Sequence, residues 1–518
     1  MLVNASPGHR LCFSSHPSRI LGTLKRSGMT QKSTSRNFAL SARRQKERLL
    51  IVGSGWGGYG VLRGVDKKRY DVTIVSPNNY FNFTPLLASC AVGTLEFRCA
   101  IEPVRRYTPP SGRVSSLGRQ NWQIFNTKRF YVYVAFEFYL EYYPTCCQMP
   151  ATPPPFEIKV DPHSNVGTGI PFTLRWDKIV LAAGAYSQTF GVPGVKEHAH
   201  FLKDVKDARA IRIRILECFE QAMQPTISDS DRRNLLNFCI VGGGPTGVEF
   251  ASELHDLLHA EVANHYPTLA KLAKITIYDV APSILGSFDK TLVEYAEKTF
   301  SRDGISILTS HHVEKVEPGK MFVKEQGEVP FGLLVWSTGL APNPLMSSIS
   351  EFKKDPKTKR GNIVLTNEHL NLIRTDGTID PDVWGIGDCA QIEDAILPAT
   401  AQVANQKAQY LVKKLNKLGR GQDSPKPFKF ENQGSLAYIG DWKAIYDNSG
   451  KKDNIISKES GRVAWLLWRS AYFTMTLSWR NKILVPMYWF LNCEANYRSI
   501  EQFLTTFTGI FGRDITRF

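Results

Sequence analysis

The stretch LLIVGSGWGGYG at residues 49–60 returns in altered form as FCIVGGGPTGVEF at residues 238–250. Each is an apolar run that ends in G-x-G-x-x-G. Each is followed by helix-forming sequence and a second apolar run, YDVTIVS at 70–76 and KITIYDV at 274–280. Strand, glycine turn, helix and strand make a βαβ unit. In that setting the first glycine allows a tight turn, the second lets a pyrophosphate approach the backbone, and the third lets helix pack on strand. The pattern assigns Gly53, Gly55 and Gly58 to one dinucleotide site and Gly242, Gly244 and Gly247 to another. In both, the phosphates sit at a helix N-terminus, where backbone N–H groups lack partners.

The two units differ where the second strand ends, a position that usually carries an acid for the ribose hydroxyls. The later unit has Asp279 there, which favours a free 2′-hydroxyl and repels a 2′-phosphate, so NADH is expected over NADPH. Its distance from Gly242 exceeds the usual ~20 residues, and EFASELHDLLHAEVANHY at 249–266 predicts a longer crossover helix. The earlier unit has Ser76 at that position, so an adenosine there must be held otherwise.

KIVLAAGAYSQTFGVPG at 178–194 and LLVWSTGLAPNPL at 333–345 are strands running into glycine turns, each at a domain crossing. DVWGIGDCAQI at 382–392 then places Asp388 in a G-x-G-D turn after a strand. This order predicts an α/β chain with two Rossmann-like dinucleotide-binding domains on the glutathione-reductase plan. FAD lies in the first, its ribityl–pyrophosphate region bonded by Asp388, and NADH docks in the second. Paired sites of this kind bring a nicotinamide to a flavin so that a hydride can pass.

Composition narrows the class. With 518 residues, 42% hydrophobic and 22% charged, the chain is globular and has room for several domains. Of its net +16 charge, +9 falls in residues 1–48, which hold ten Lys/Arg against Glu47 alone. That basic, Ser-rich leader without an apolar run reads as a mitochondrial transit peptide over 1–47, with a disordered basic tail as the rival. The body keeps about +7, weak grounds for nucleic-acid binding. The nine cysteines form no C-x-x-C pair and have no zinc spacing, so no metal is expected. Cys90 and Cys99 are not an exchange pair, which disfavours a disulfide reductase or a sulfide:quinone oxidoreductase. No run of 18 apolar residues would span a bilayer as a simple helix.

GSGWGG at 53–58, SPNNYFNFTPLLAS at 76–89, AVGTLE at 91–96, residues 240–249, LPATAQVANQKAQYL at 397–411 and LAYIGDWKAI at 436–445 together resemble the type II NADH dehydrogenases. These are the single-chain, rotenone-insensitive NADH:ubiquinone oxidoreductases of fungal and plant mitochondria. The resemblance runs over 48–107 and 150–518. It implies FAD as the sole prosthetic group, no proton pumping, ubiquinone as acceptor and peripheral attachment to the mitochondrial inner membrane. It also implies that Thr84, Pro85 and Leu86 lie beside the flavin, that Glu249 stands near the flavin–nicotinamide contact, and that Asp388 binds the FAD ribityl. Gln402 and Gln406 match positions where quinone approaches, and amides can hydrogen-bond a quinone carbonyl without adding charge. Helix capping or a surface position is the rival reading for both. Asn405 replaces a His of some relatives, which puts a proton-donor role there in doubt.

The expected organisation is a FAD domain over 48–202 and 346–427, an NADH domain over 203–345, and a C-terminal membrane-docking and dimerisation region over 428–518. In that tail Trp465, Trp468, Tyr472, Met475 and Trp479 recur at spacings of 3 and 4, with Arg462, Arg469, Arg480 and Lys482 around them. Such a stripe suits an interfacial helix on anionic lipid or, being heptad-like, a buried seam between two copies. Residues 108–150 depart from the family and replace its expected short strand pair. Their aromatic run RFYVYVAFEFYLEYY reads as an aggregation-prone strand, and a mis-spliced segment is favoured over a genuine insertion. Two rival functions remain: a flavoprotein with another acceptor, such as oxygen or a quinone antioxidant, and an apoptosis-inducing-factor-like binding protein. With no apolar anchor after the leader and no D-x-D-x-D-G calcium loop, the expected position is the matrix side.

Overall fold

The structure, a computed structural model, describes residues 46–108, 114–116, 122–125, 129–132, 172–356, 363–423, 426–449, 458–476 and 478–491. The strand Glu47–Val52 lies inside an eight-stranded sheet, paired in parallel with Tyr70–Ser76 on one side and Lys178–Leu181 on the other. Leu49, Leu50, Ile51 and Val52 are all buried. Both faces of this strand are covered, which is why it reads as an unbroken apolar run rather than an alternating one. The sheet continues through Ile379–Gly385, Asn371–Ile373, Val364–Thr366 and Ala390–Ile392, so strands from both ends of the chain share it.

A second, five-stranded parallel sheet has the order His200–Phe201, Leu333–Trp336, Asn237–Val241, Lys274–Tyr278, Ser306–Leu308. The chain leaves the first sheet through Ala185–Ser187 and returns through Leu340–Pro342. These two passes pair antiparallel, with Tyr186 opposite Ala341.

The two glycine loops share one geometry. Gly53 has φ +105° and donates its N–H to Val75 O at 2.7 Å; Gly242 has φ +115° and donates to Tyr278 O at 2.8 Å. A Cβ on Gly58 would lie 1.9 Å from Gly53 O, and one on Gly247 would lie 2.0 Å from Gly242 O. The helices Trp56–Gly64 and Pro245–Leu257 therefore rest directly on the strand ends. Glycine also lets the Ala401–Leu418 helix close onto the first of them, since Cβ atoms on Gly60 and Gly64 would sit 2.8 Å from Ala408 Cβ and 2.7 Å from Val412 Cγ1. The crossover predicted as one long helix runs in continuous helical backbone from Pro245 to His265, with a π-turn at Leu258–Val262, and the short helix Pro267–Ala270 follows after Tyr266.

The tail forms a small antiparallel sheet, Ser435–Tyr438, Ala444–Asp447 and Lys458–Gly461, followed by helices Arg462–Met475 and Trp479–Leu491. Here the structure corrects the reading of the aromatic stripe. Trp468 is buried, and Trp465, Tyr472 and Met475 pack against the core; only Trp479 stands out, at 79% exposure. A 3-4 spacing marks the face a helix buries, whatever covers it, and here the cover is this chain's own Tyr438, 5.4 Å from Trp468 ring to ring. The opposite face carries exposed Val463, Leu466 and Phe473, and the next helix adds Trp479, Ile483 and Phe490.

Within 108–150, Val114–Ser116 extends the first sheet beside Tyr70–Ser76. Trp122–Phe125 and Arg129–Val132 pair antiparallel and continue to Phe172–Arg175. A strand pair is thus present in the segment read as having replaced one. The rest of the aromatic run, residues 133–143, lies outside the described residues, as do leader residues 1–45.

Gly58→Ala and Gly247→Ala are each expected to destabilise the protein by about 3 kcal/mol, the scale of forced overpacking. Urea or thermal unfolding measures this; a loss below about 0.5 kcal/mol would show that helix and strand can part without penalty.

Candidate active site

Both glycine-loop helices begin without a side-chain cap. Their N-cap residues are Gly55 and Gly244, and a Cβ on either would meet nothing within 4 Å. The first N–H groups of each helix thus face open space, as an anion-binding helix start requires. At the second loop, Asp279 Oδ2 accepts the Gly243 N–H and Oδ1 accepts that of Ala281 at 2.7 Å. The carboxylate is held at the strand end, and each oxygen keeps a lone pair for a ribose hydroxyl. At the first loop a hydroxyl pair stands where the acid is missing. Ser54 Oγ and Ser76 Oγ are 2.7 Å apart, and Ser54 Oγ also donates to Tyr80 O at 3.0 Å.

Thr84, Pro85 and Leu86 form a short 3-10 turn, with Leu86 buried and Thr84 Oγ1 accepting Trp56 Nε1–H at 3.1 Å. That bond ties the turn to the first glycine-loop helix. Asp388 lies in the turn Gly387–Cys389, where Gly387 has φ +75°. Facing this turn is Lys407, which the sequence reading passed over. It is 2% exposed, donates from Nζ to Ala390 O at 3.2 Å, and is coupled electrostatically to Asp388 and Cys389. Burial lowers its ammonium to about 8. A buried cation with one hydrogen bond beside Asp388 and near an uncapped helix start fits an anionic dinucleotide such as FAD.

Three segments meet at Glu249, which belongs to the second glycine-loop helix. Its Oε1 accepts the Tyr438 N–H and the Trp468 Nε1–H, both at 3.2 Å. Trp468 packs edge-on against Tyr472 at 4.8 Å, and Tyr472 against Phe83, the residue before Thr84, at 6.5 Å. The Thr84 turn, the second glycine-loop helix and the tail helix thus converge on one buried carboxyl. Desolvation, the largest effect, raises Glu249 to about 7, and the charge of Glu253 adds to the rise. Glu253, one turn further on, is raised to about 7 by the same cause. Tyr438, Trp468 and Tyr472 were missed as site residues. Two of them were visible as part of the stripe but were read as facing outward.

Gln402 and Gln406 each bond backbone of the segment before the tail sheet. Gln406 donates to Glu431 O at 2.8 Å and accepts its N–H at 3.0 Å; Gln402 accepts the Gln433 N–H at 3.3 Å and donates to Gly434 O at 3.4 Å. The two amides clasp residues 431–434, the lead-in to the strand whose Tyr438 holds Glu249. Cys90, Cys99, Cys218, Cys239 and Cys389 are free and buried. Burial pushes the Cys99 thiol up to about 12 and Cys90 well above its usual range, so neither is a ready thiolate.

The family model described as Pyridine nucleotide-disulphide oxidoreductase matches residues 47–408, and one described as NDH2 C-terminal domain matches residues 432–493. A probable NADH dehydrogenase of Dictyostelium discoideum is 36% identical over 488 residues, spanning 92% of this chain and 92% of that one. An internal alternative NAD(P)H-ubiquinone oxidoreductase A1, mitochondrial, of Arabidopsis thaliana is 35% identical, spanning 91% of this chain and 86% of its own. The solved structure of NDH2 from Plasmodium falciparum in complex with NADH is 25% identical, with a TM-score of 0.71 over 86% of this chain and 97% of that one. Within the pyridine nucleotide-disulphide class, the chain belongs to the type II NADH dehydrogenases, the alternative NADH:ubiquinone oxidoreductases.

The buried carboxyls set a pH dependence. Between about 4.5 and about 7 the folded chain keeps protons on Glu249 and Glu253 that the unfolded chain has released. Stability therefore falls as pH rises through that window. Calorimetry from about pH 5 to about pH 8 is expected to show a falling Tm, with a shallower fall in Glu253→Gln. An equally steep fall in that variant would contradict the assignment.

Proposed function

We propose that the chain is a FAD-dependent NADH:ubiquinone oxidoreductase that does not pump protons and passes two electrons from NADH to membrane quinone. The convergence of the Thr84 turn, Glu249 and the tail helix carries this reading, because it joins both glycine-loop units to the membrane-facing end of the chain. When bound, FAD supplies the hydride acceptor and the electron donor to quinone. Gly53, Gly55 and Gly58 would hold it with Asp388 and Lys407, beside Thr84, Pro85 and Leu86. Gly242, Gly244, Gly247 and Asp279 would hold NADH, the carboxylate orienting the ribose. Trp468, Tyr472 and Tyr438 exclude water from Glu249. A carboxyl raised to about 7 can hold a proton near neutral pH on Oε2, the oxygen that the Tyr438 and Trp468 N–H groups do not bond, and release it toward a reduced quinone. Gln402 and Gln406 act by holding residues 431–434 against this wall, each amide keeping capacity for a quinone carbonyl.

In this reading the enzyme is mitochondrial and lies on the inner membrane from the matrix side; relatives at 35% identity are described as internal, and others at 33% and 34% as external. Among the described residues no helix is long and apolar enough to cross a membrane. The outward face of Val463, Leu466, Phe473, Trp479, Ile483 and Phe490 would rest on lipid. Lys482 Nζ, 5.7 Å from the Phe473 ring and 5.9 Å from that of Trp479, would sit at headgroup level.

Purified holoenzyme is expected to oxidise NADH rapidly only when a short-chain ubiquinone is present. Gln402→Ala and Gln406→Ala should slow flavin reoxidation by quinone roughly tenfold more than flavin reduction by NADH, about the worth of one hydrogen bond. Equal loss in both half-reactions would refute their placement, and turnover with oxygen alone would favour another acceptor.

The lipid contact has its own test. Leu466→Glu combined with Ile483→Glu is expected to abolish sedimentation with anionic vesicles while leaving short-chain quinone reduction intact. Undiminished vesicle binding would rule this face out.

A further inference from the structure

The reaction proposed above gives Glu253 no task, yet it is among the most secluded charged side chains of the fold. It is 5% exposed and accepts hydrogen bonds from Ser89 Oγ at 2.6 Å and Thr94 Oγ1 at 2.9 Å. Those partners come from the Leu87–Val92 helix and the residues after it, so Glu253 joins the two nucleotide-binding units. A tie between helices needs only an amide; an ionisable group there is unexplained.

Its neighbours form a column. Glu249, Glu253 and Asp256 stand at i, i+4 and i+7, one face of a helix, and climb ~10 Å along the axis. Glu249 and Glu253 feel each other's charge, as do Glu253 and Asp256. Asp256 is the outer member, its side chain 29% exposed. It accepts Tyr438 O–H at 2.5 Å and Asp441 N–H at 3.2 Å. The Tyr438 hydroxyl in turn lies within electrostatic reach of Glu253. The column thus runs from the closed wall of the site to solvent. Its other titratable neighbours are Cys90 on the Leu87–Val92 side, Tyr438 in the tail sheet and Asp441 in the turn after it, Arg469 and Tyr472 on the tail helix, and His255 beside Asp256. Burial pushes Cys90, Tyr438 and Tyr472 well up, and the Arg469 guanidinium lies over the rings of Trp465 at 4.3 Å and Trp489 at 4.4 Å. Burial raises Glu249 and Glu253 to about 7, and Asp256, with His255 beside it, is the column's contact with solvent.

The stoichiometry calls for such a route. NADH, one proton and a quinone give NAD⁺ and a quinol, so each turnover draws one proton from water, while the wall of Tyr438, Trp468 and Tyr472 shuts water out. We propose that Asp256 and Glu253 form a proton inlet along the Pro245–Leu257 helix, which refills Glu249 from solvent once per turnover. Asp256 takes a proton from water. Glu253 passes its own to Glu249 and is reprotonated from Asp256, with the Tyr438 hydroxyl between them. No charge is left in the column when the cycle closes. Both are positioning residues, since neither touches substrate.

The inlet rests on the proposed role of Glu249, and the experiment separates the two. Anaerobic rapid mixing of holoenzyme follows flavin bleaching by NADH and recolouring by a short-chain ubiquinone. Glu253→Gln and Asp256→Asn are expected to bleach within about twofold of wild type but recolour about tenfold more slowly, with the defect deepening as pH rises. Millimolar formate or azide should restore Asp256→Asn, whose altered side chain reaches solvent. Infrared difference spectra, which need no turnover, should show carboxyl absorption from both Glu249 and Glu253 titrating near neutrality in wild type, with the Glu253 share lost in Glu253→Gln and the Glu249 share kept. If Glu249→Gln recolours at the wild-type rate, the role of Glu249 falls and the inlet with it. If Glu249→Gln is slow while Glu253→Gln and Asp256→Asn keep the wild-type rate and pH profile, the inlet alone is overturned. Equal slowing of bleaching and recolouring in both inlet variants also overturns it, since that marks a structural tie.

Discussion

Both nucleotide-binding units depend on one contact: the first turn of a helix lying on the carbonyl oxygen of the glycine that ends a strand. At Gly58 over Gly53 and at Gly247 over Gly242 no side chain fits. Because helix and strand touch there, the helix start stands at the sheet's C-terminal edge with its N–H groups uncovered. The same economy of side chains recurs at Gly60 and Gly64, which let the Ala401–Leu418 helix settle against the first glycine-loop helix. That settling brings Lys407 down onto the turn holding Asp388. The geometry of the first site thus follows from where the chain has no Cβ.

The second constraint is electrostatic. A helix packed among a turn, a strand and an aromatic helix would ordinarily present apolar residues, yet Pro245–Leu257 turns Glu249 and Glu253 into that interior. Each is satisfied by neutral N–H or O–H donors. Neutral donors leave the desolvation of a carboxylate largely uncompensated, so both carboxyls hold protons more tightly than in water. This is the physical basis for assigning proton chemistry to these two carboxyls.

The fold was legible because its signals are local. Glycine at fixed offsets from an apolar run specifies a βαβ unit, and the order of the two units with the late G-D turn specifies the plan. What escaped notice depends on contacts far apart in sequence. Lys407 is one lysine among several on its helix until Ala390 and Asp388 arrive over it. Glu253, in EFASELHD, reads as an ordinary polar position until Ser89 and Thr94 reach it across 164 and 159 residues. The amides of Gln402 and Gln406 are claimed by backbone some thirty residues downstream. The aromatic stripe misled for a related reason: periodicity tells which face of a helix is apolar and is silent about what will cover it.

The Arg462–Met475 helix has two working faces, and they cannot be separated by shortening the chain. Its inner face supplies Trp468, whose indole N–H bonds Glu249; its outer face carries Leu466 and Phe473, which stay exposed among the described residues. A chain cut before residue 462 to remove the sticky surface would also unroof the carboxyl, admit water to it and return its proton affinity towards that of a glutamate in solution. Solubility would have to be sought by repainting the outer face, leaving the helix in place.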